Sequence, residues 1–372
     1  MTNRERMKAV LNYQPYDRMP VVHFGYWNET LDKWVAEGHL KQEEVEGWGD
    51  NNASDKLIAK KLGFDCNWSS ASGVDIGQLM DPLFETKVVK DFGDGTIHWQ
   101  NAFGVILLAK KDAGSIPSEI AHTLVDRASW EKEYLPRLQF SRDKIDLESF
   151  KKVDQEEADT LIGIHCGSYY GTLRDIAGIV GLSYIYADDE ELYDEMINTL
   201  CDLQYQAAKV ILEESNVKFD FAHFWEDICF KNGPLISPAV FREKIGPHYK
   251  KITDLLHVHG INIVSLDCDG LIDSLLPIWL ENGINTMFPI EVGTWEASIS
   301  PWREKYGKSL LGVGGMNKVV FAEDYAAIDK EVERLKPLIE LGGFIPCPDH
   351  RIAPDAKWEN IQYYTEKMRN LK

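Results

Sequence analysis

Three observations on this sequence predict an α/β fold, and specifically a (β/α)8 barrel. Eight short apolar runs recur along the chain, helix-length amphipathic stretches separate them, and nearly every run ends on a side chain able to ligate, protonate or stack. Strands of a parallel sheet are covered by helices on the outside, so they read as apolar runs rather than as alternating ones. Repeated β/α alternation at this length points to a barrel, with a doubly wound sheet as the other solution.

The N-terminal stretch opens with a capping box, Thr2-x-x-Glu5, which predicts a short helix. The strand runs are 19–26 (MPVVHFGY), 64–69 (FDCNWS), 160–167 (TLIGIHCG), 219–226 (FDFAHFWE), 261–269 (INIVSLDCD), 284–291 (INTMFPIE), 310–315 (LLGVGG) and 342–349 (GGFIPCPD). Helices are expected over 190–215, 238–259, 271–282, 296–306 and 323–341, with a closing helix over 356–371. The segment 91–111 carries the turn signal Asp94–Gly95 and then alternates, which predicts a β-hairpin inserted after the second strand. Without a repeat or a Ser/Pro-rich linker, residues 1–372 read as a single domain.

Composition narrows the function classes. The 60 acids outweigh 40 bases for a net charge of −20, so the basic footprint of a nucleic-acid binder is missing. No run approaches the roughly 20 apolar residues of a membrane span, and the charged start has no leader-like core, so a cytoplasmic protein is expected. The cysteines 66, 166, 201, 229, 268 and 347 show no C-x-x-C spacing and read as reduced, packed thiols.

In a barrel, chemistry gathers at the carboxyl ends of the strands. Those ends carry His23 and Trp27; His165, Tyr169 and Tyr170; Trp225, Glu226 and Asp227; Asp267, Cys268 and Asp269; Glu291; and Cys347, Asp349 and His350. Some have simpler explanations. Asp269 before GLIDSLL fits a helix N-cap, GVGG (312–315) fits close packing, and His165 in an apolar strand fits a core histidine. Taken together, Glu226, Asp267, Asp269, Glu291 and His350 would crowd one mouth. Like charges that close need a cation or protonation. Asp267 and Asp269 lie two apart and share a strand face, which points Cys268 the other way. Two such ligands, a third from another strand and an open position make the pattern of a catalytic zinc site.

The stretches DRMPVV (17–22), LISPAVFREKIGPHYKKI (235–252) and GGFIPCPDH followed by WENIQYY resemble the uroporphyrinogen decarboxylase superfamily, over essentially the whole chain. The superfamily also contains zinc-dependent, corrinoid-linked methyltransferases. Where the true decarboxylases carry an Arg-Gln-Ala-Gly-Arg stretch, this chain reads HFGYWNET (23–30) and has no arginine to clamp substrate carboxylates. Laid on the methyltransferase zinc motif, Asp267 stands at the histidine position, Asp269 at the first cysteine and His350 at the last.

The resemblance therefore implies methyl transfer from a methoxylated aromatic or methylamine donor to the Co(I) of a corrinoid, with zinc at Asp267, Asp269 and His350. Cobalamin would come from a partner corrinoid protein, and a homodimer is expected. Glu226 and Glu291 are the candidate acids, and His23, Trp27, Trp68, Tyr169 and Trp225 the candidate substrate-binding residues. The alternatives are a decarboxylase acting on another carboxylated substrate and a barrel that only binds a corrinoid or porphyrin.

Overall fold

Each apolar run does build a strand, in all but one case shorter than the run itself, in the computed structural model. It describes all residues but 69, 70, 74, 75, 111–116, 154, 156, 157 and 372. The strands are β1 (Val22–His23), β2 (Cys66–Asn67), β3 (Ala71–Gly73), β8 (Gly163–His165), β9 (Phe221–Trp225), β12 (Val264–Asp267), β13 (Thr286–Ile290), β14 (Leu311–Met316) and β15 (Phe344–Pro348). Seven of them pair in parallel in the order β15-β14-β13-β12-β9-β8-β3.

The remaining two, β1 and β2, form a separate parallel pair, and between β9 and β12 the short β10 (Cys229–Phe230) and β11 (Gly233–Pro234) pair antiparallel. β1 lies beside β15, and just beyond both strands Tyr26 bridges Ile352. The run 64–69 is thus split in its role: β2 pairs backwards with β1, whereas β3, a few residues on, pairs forwards with β8. Residue 69 of that run lies outside the described residues.

Helices fill the intervals as the amphipathic pattern requires. Asp189 caps the long helix Glu190–Glu214, and Leu192, Met196, Leu200, Leu203, Ala207 and Ile211 bury one face of it. The capping box at Thr2 and Glu5 forms in full and starts the helix Asn3–Leu11. Later helices span Gly246–Val258, Leu276–Glu281, Ile299–Tyr306, Tyr325–Glu340 and Trp358–Arg369. The GVGG turn serves packing: at Gly314, with φ +126°, a side chain would meet the Ile290 amide nitrogen at 2.2 Å.

The insertion is larger than a hairpin. β4 (Lys87–Asp91), β5 (Thr96–Gln100), β6 (Val105–Lys110) and β7 (Ser118–His122) form a four-stranded antiparallel sheet between β3 and β8 in the chain. Asp94–Gly95 joins β4 to β5. A second turn at Asn101, whose side chain accepts from the amides of Phe103 and Val105, joins β5 to β6. That Asx turn was the signal for the extra length.

Register places the chemistry. His165 pairs with His223 and His223 with Ser265; one level higher, Trp225 pairs with Asp267 and Asp267 with Phe288. Residues in one register share a face of the sheet. The inner face therefore carries a histidine layer and, above it at the strand ends, a layer with Trp225 and Asp267.

Candidate active site at the strand ends

Asp267 closes β12 on the inner face and opens into a cavity of about 400 Å³. It is 9% exposed, and its carboxyl makes no hydrogen bond among the described residues. Burial, with Asp269 and Asp227 nearby, pushes it well above the ordinary carboxylate range. Such a group favours the protonated form over the carboxylate more than an exposed carboxyl does. Cys268 points out of the cavity, as strand alternation requires, and accepts from the Ile228 amide at 3.4 Å.

After Asp269 the chain must turn sharply. Gly270 has φ +85°, and a side chain there would lie 2.6 Å from the Cys229 carbonyl oxygen. The next helix starts only at Leu276, so Asp269 is no N-cap. Its Oδ2 lies 3.4 Å from His350 Nε2, while Asp269 Oδ1 and His350 Nδ1 are buried without hydrogen-bond partners. Trp27 stacks on the His350 ring at 5.5 Å and Phe24 meets it edge-on at 5.7 Å. Arg351, also at the cavity, is tied to Asp50 at 2.6 Å.

These residues only partly fit a zinc ion. Asp267, Asp269 and His350 all line the cavity, but only the last two touch. Among the described residues, no three His, Cys, Asp or Glu side chains gather closely enough to hold a metal. The donor set expected from the sequence is thus on one wall without being assembled.

The structure adds three residues to the cavity. Asp227, with φ +48°, faces it and lies 3.7 Å from Arg174. Burial, reinforced by Asp269, raises its carboxyl. His165 is no core histidine: it lines the cavity with His223, the rings 5.7 Å apart. The Gly167 amide donates to His165 Nδ1, which leaves the ring proton on Nε2. Ser265 accepts from Trp68 Nε1, and its hydroxyl shares a hydrogen bond with His223 Nδ1 at 3.2 Å. Burial pushes His223 down to about 3, keeping it neutral. Strand period together with register was the available signal for both rings.

Several residues expected at the site are put to other uses. Glu226 follows Trp225 and so points outward, away from the cavity. It accepts from the amides of Tyr169, Tyr170 and Gly171 at 2.7–2.9 Å and from the Tyr249 hydroxyl, anchoring the start of the helix Tyr170–Ala177. Burial raises its carboxyl and those donors oppose the rise. Glu291 is held by the Gly270 amide and the Thr294 hydroxyl, and burial raises it too. Trp68 packs on Phe221, and Tyr169 on Phe224 and Tyr249. His23 is buried against Tyr26 and Phe64. Of the expected substrate-binding residues, Trp27 and Trp225 reach the cavity.

Neither a known family model nor a curated protein matches the chain. Solved structures do. A methyltransferase from Methanosarcina mazei superposes with a TM-score of 0.57 at 16% identity, covering 99% of this chain and 98% of that one. A B12-independent methionine synthase from Shewanella sp. W3-18-1 gives a TM-score of 0.45 at 11% identity, covering 95% and 98%. With the sheet order and the end-to-end overlap both in hand, the chain shares the α/β fold of the Methanosarcina mazei methyltransferase.

Proposed function

We propose that this chain is a methyltransferase of (β/α)8 type, opened at its second strand, that demethylates a small methoxylated aromatic held in the strand-end cavity. The observation that carries this reading is Asp267: a buried carboxyl, its proton affinity raised by burial and by Asp269 and Asp227, facing a cavity walled by Trp27 and Trp225 and with no hydrogen-bond partner among the described residues. An aryl methyl ether needs an acid, because its leaving oxygen departs as a phenolate unless it is protonated. The methyl acceptor, taken from the sequence resemblance, is the Co(I) of a corrinoid delivered by a partner protein and is a co-substrate.

The chain's residues divide the work. Trp27 and Trp225 hold the aromatic ring, and the imidazoles of His165 and His223 line the cavity floor beneath it. As the methyl carbon–oxygen bond breaks, its electron pair stays on the oxygen, which takes the Asp267 proton. Asp269 and Asp227 raise the affinity of Asp267 for that proton and so favour its return from water. No step is routed through zinc, since the donor set is not gathered. A decarboxylase has less support: Arg351, the arginine at the cavity, is already held by Asp50.

The test is methyl transfer from a panel of methoxyarenes and methylamines to cob(I)alamin, with elemental analysis of protein purified without chelator. Transfer from methoxyarenes that is lost in Asp267→Asn supports the reading. Silence across the panel, or full activity in Asp267→Asn, overturns it.

A further inference from the structure

The strand-end cavity is short of positive charge, and that shortage bears on which methoxylated arene it holds. Asp227, Asp267 and Asp269 line it, and Arg351 is the one arginine or lysine among its described lining residues. Arg351 is committed to Asp50, donating from Nη1 at 3.2 Å and from Nη2 at 2.6 Å. Arg174, over the Trp225 ring at 5.7 Å, lies 2.9 Å from Asp175 and 3.7 Å from Asp227. Lys318 is drawn on by Asp349 before Asp269, Glu291 and Asp355. Burial keeps His223 neutral. Ser69, Ser70, Val74 and Asp75, which flank the strand Ala71–Gly73 in the sequence, bring no base.

Asp267 and Glu291 therefore form no ion pair among the described residues. Asp269 has only the His350 imidazole, at 3.4 Å, and Asp227 shares Arg174 with Asp175. We propose that the methoxylated arene bound here carries an ammonium group, held by Asp269 and Asp227 while its ring lies on Trp27 and Trp225. The proposal rests on the methyl-transfer reading for the methyl ether and adds what else the substrate bears.

Geometry separates an ammonium from a metal ion at these acids. Zinc needs each of its oxygen and nitrogen donors about 2.0–2.2 Å from one point, and no such group gathers among the described residues. An ammonium donates three hydrogen bonds, each of roughly 2.7–2.9 Å, so carboxyls too far apart for a metal can share it. Acceptors are waiting on this wall. The Asp267 carboxyl makes no hydrogen bond among the described residues, and Asp269, its side chain 32% exposed, has Oδ1 without a partner. Tryptophan faces attract cations as well as rings, so Trp27 and Trp225 suit both parts of such a ligand. An arene bearing a carboxylate would meet acids instead, with Arg351 already engaged.

Ligands without a methyl ether separate recognition from chemistry. Benzylammonium, benzyl alcohol and benzoate share a ring and differ in charge; each is titrated calorimetrically into the full chain at neutral pH. We expect benzylammonium to bind roughly tenfold tighter than benzyl alcohol, the scale of one charge-assisted contact, and benzoate to bind weakest. Asp269→Asn, close to isosteric, should erase most of that preference and leave benzyl alcohol binding as it was. Asp227→Asn is the second variant and should act in the same direction. Absence of binding by all three ligands overturns the proposal. So does benzoate binding as tightly as benzylammonium, or a preference that neither variant alters. These results leave the methyl-transfer reading to its own assay. That reading alone falls if the ammonium preference holds but 4-methoxybenzylamine gives no methyl to cob(I)alamin.

Discussion

Glu226 and Asp267 end neighbouring strands, and both are buried acids, yet they do opposite work. Glu226 lies on the outer face among four strong donors, three amides and a tyrosine hydroxyl, and ties a helix to the sheet. Asp267 lies on the inner face with no donor and opens to a cavity. Residue type and depth are alike; the number of donors differs. A carboxyl with its lone pairs filled is a structural anchor, whereas one left unfilled in a low-dielectric site holds its proton and can give it away.

This contrast can be broken most sharply at Asp267. Asp267→Asn should lower kcat for methyl transfer roughly 10²- to 10⁴-fold, the range of a lost general acid, while its chemical denaturation midpoint stays at or above that of the parent. A variant that loses stability in proportion to activity would make Asp267 another anchor. Glu226→Gln should do the reverse. It should cost about 3 kcal/mol in urea unfolding, because it sets an amide NH₂ against amide donors, and leave kcat of the folded fraction near the parent value.

Acidity offers a finer comparison. A carboxyl whose pKa is raised by folding binds its proton more tightly in the folded chain, so its contribution is present at low pH and is lost as pH rises through the raised value. Melting temperature should therefore fall less steeply with pH in Asp267→Asn than in the parent, from the ordinary carboxylate range upward. Methyl transfer by the parent should fall over the same rise. Parallel melting curves for the two proteins would remove Asp267 as the group that titrates. Smaller still, Trp225→Leu should raise KM about fivefold, for the ~1 kcal/mol of an aromatic contact, with kcat little changed. Cys268→Ala should leave activity unaltered and cost about 1 kcal/mol or less, since the thiol is packing.

Much of this was legible in the residues, and the reason is the period of the strand. The spacing of Asp267 and Asp269 alone turns Cys268 away from the mouth, and each apolar run holds a strand. The same rule, applied one residue further, separates Trp225 from Glu226; counting strand-end acids together hid that separation. Trp68 and Tyr169 follow strands whose continuation is not extended. The run of Trp68 is split between β2 and β3, and Tyr169 leads straight into a helix, so neither inherits the inward direction of its strand. The gathering of a zinc donor set depends on side-chain distances across strands, which pattern does not carry.

The bridge beyond β1 and β15 has a consequence for how the chain is made. The Ile352 carbonyl accepts from both the Trp27 amide and the Thr30 hydroxyl, the latter 322 residues away, and the Ile352 amide donates to Gly25. The first strand pair is joined to the rest of the sheet at a segment synthesised more than 300 residues later. Contacts this distant in sequence are slow to form. During synthesis, β1 and β2 are a two-stranded fragment with an open edge, the kind of surface that associates with other chains. The segment around Ile352 completes the cavity by adding His350, and it also shelters the first strand.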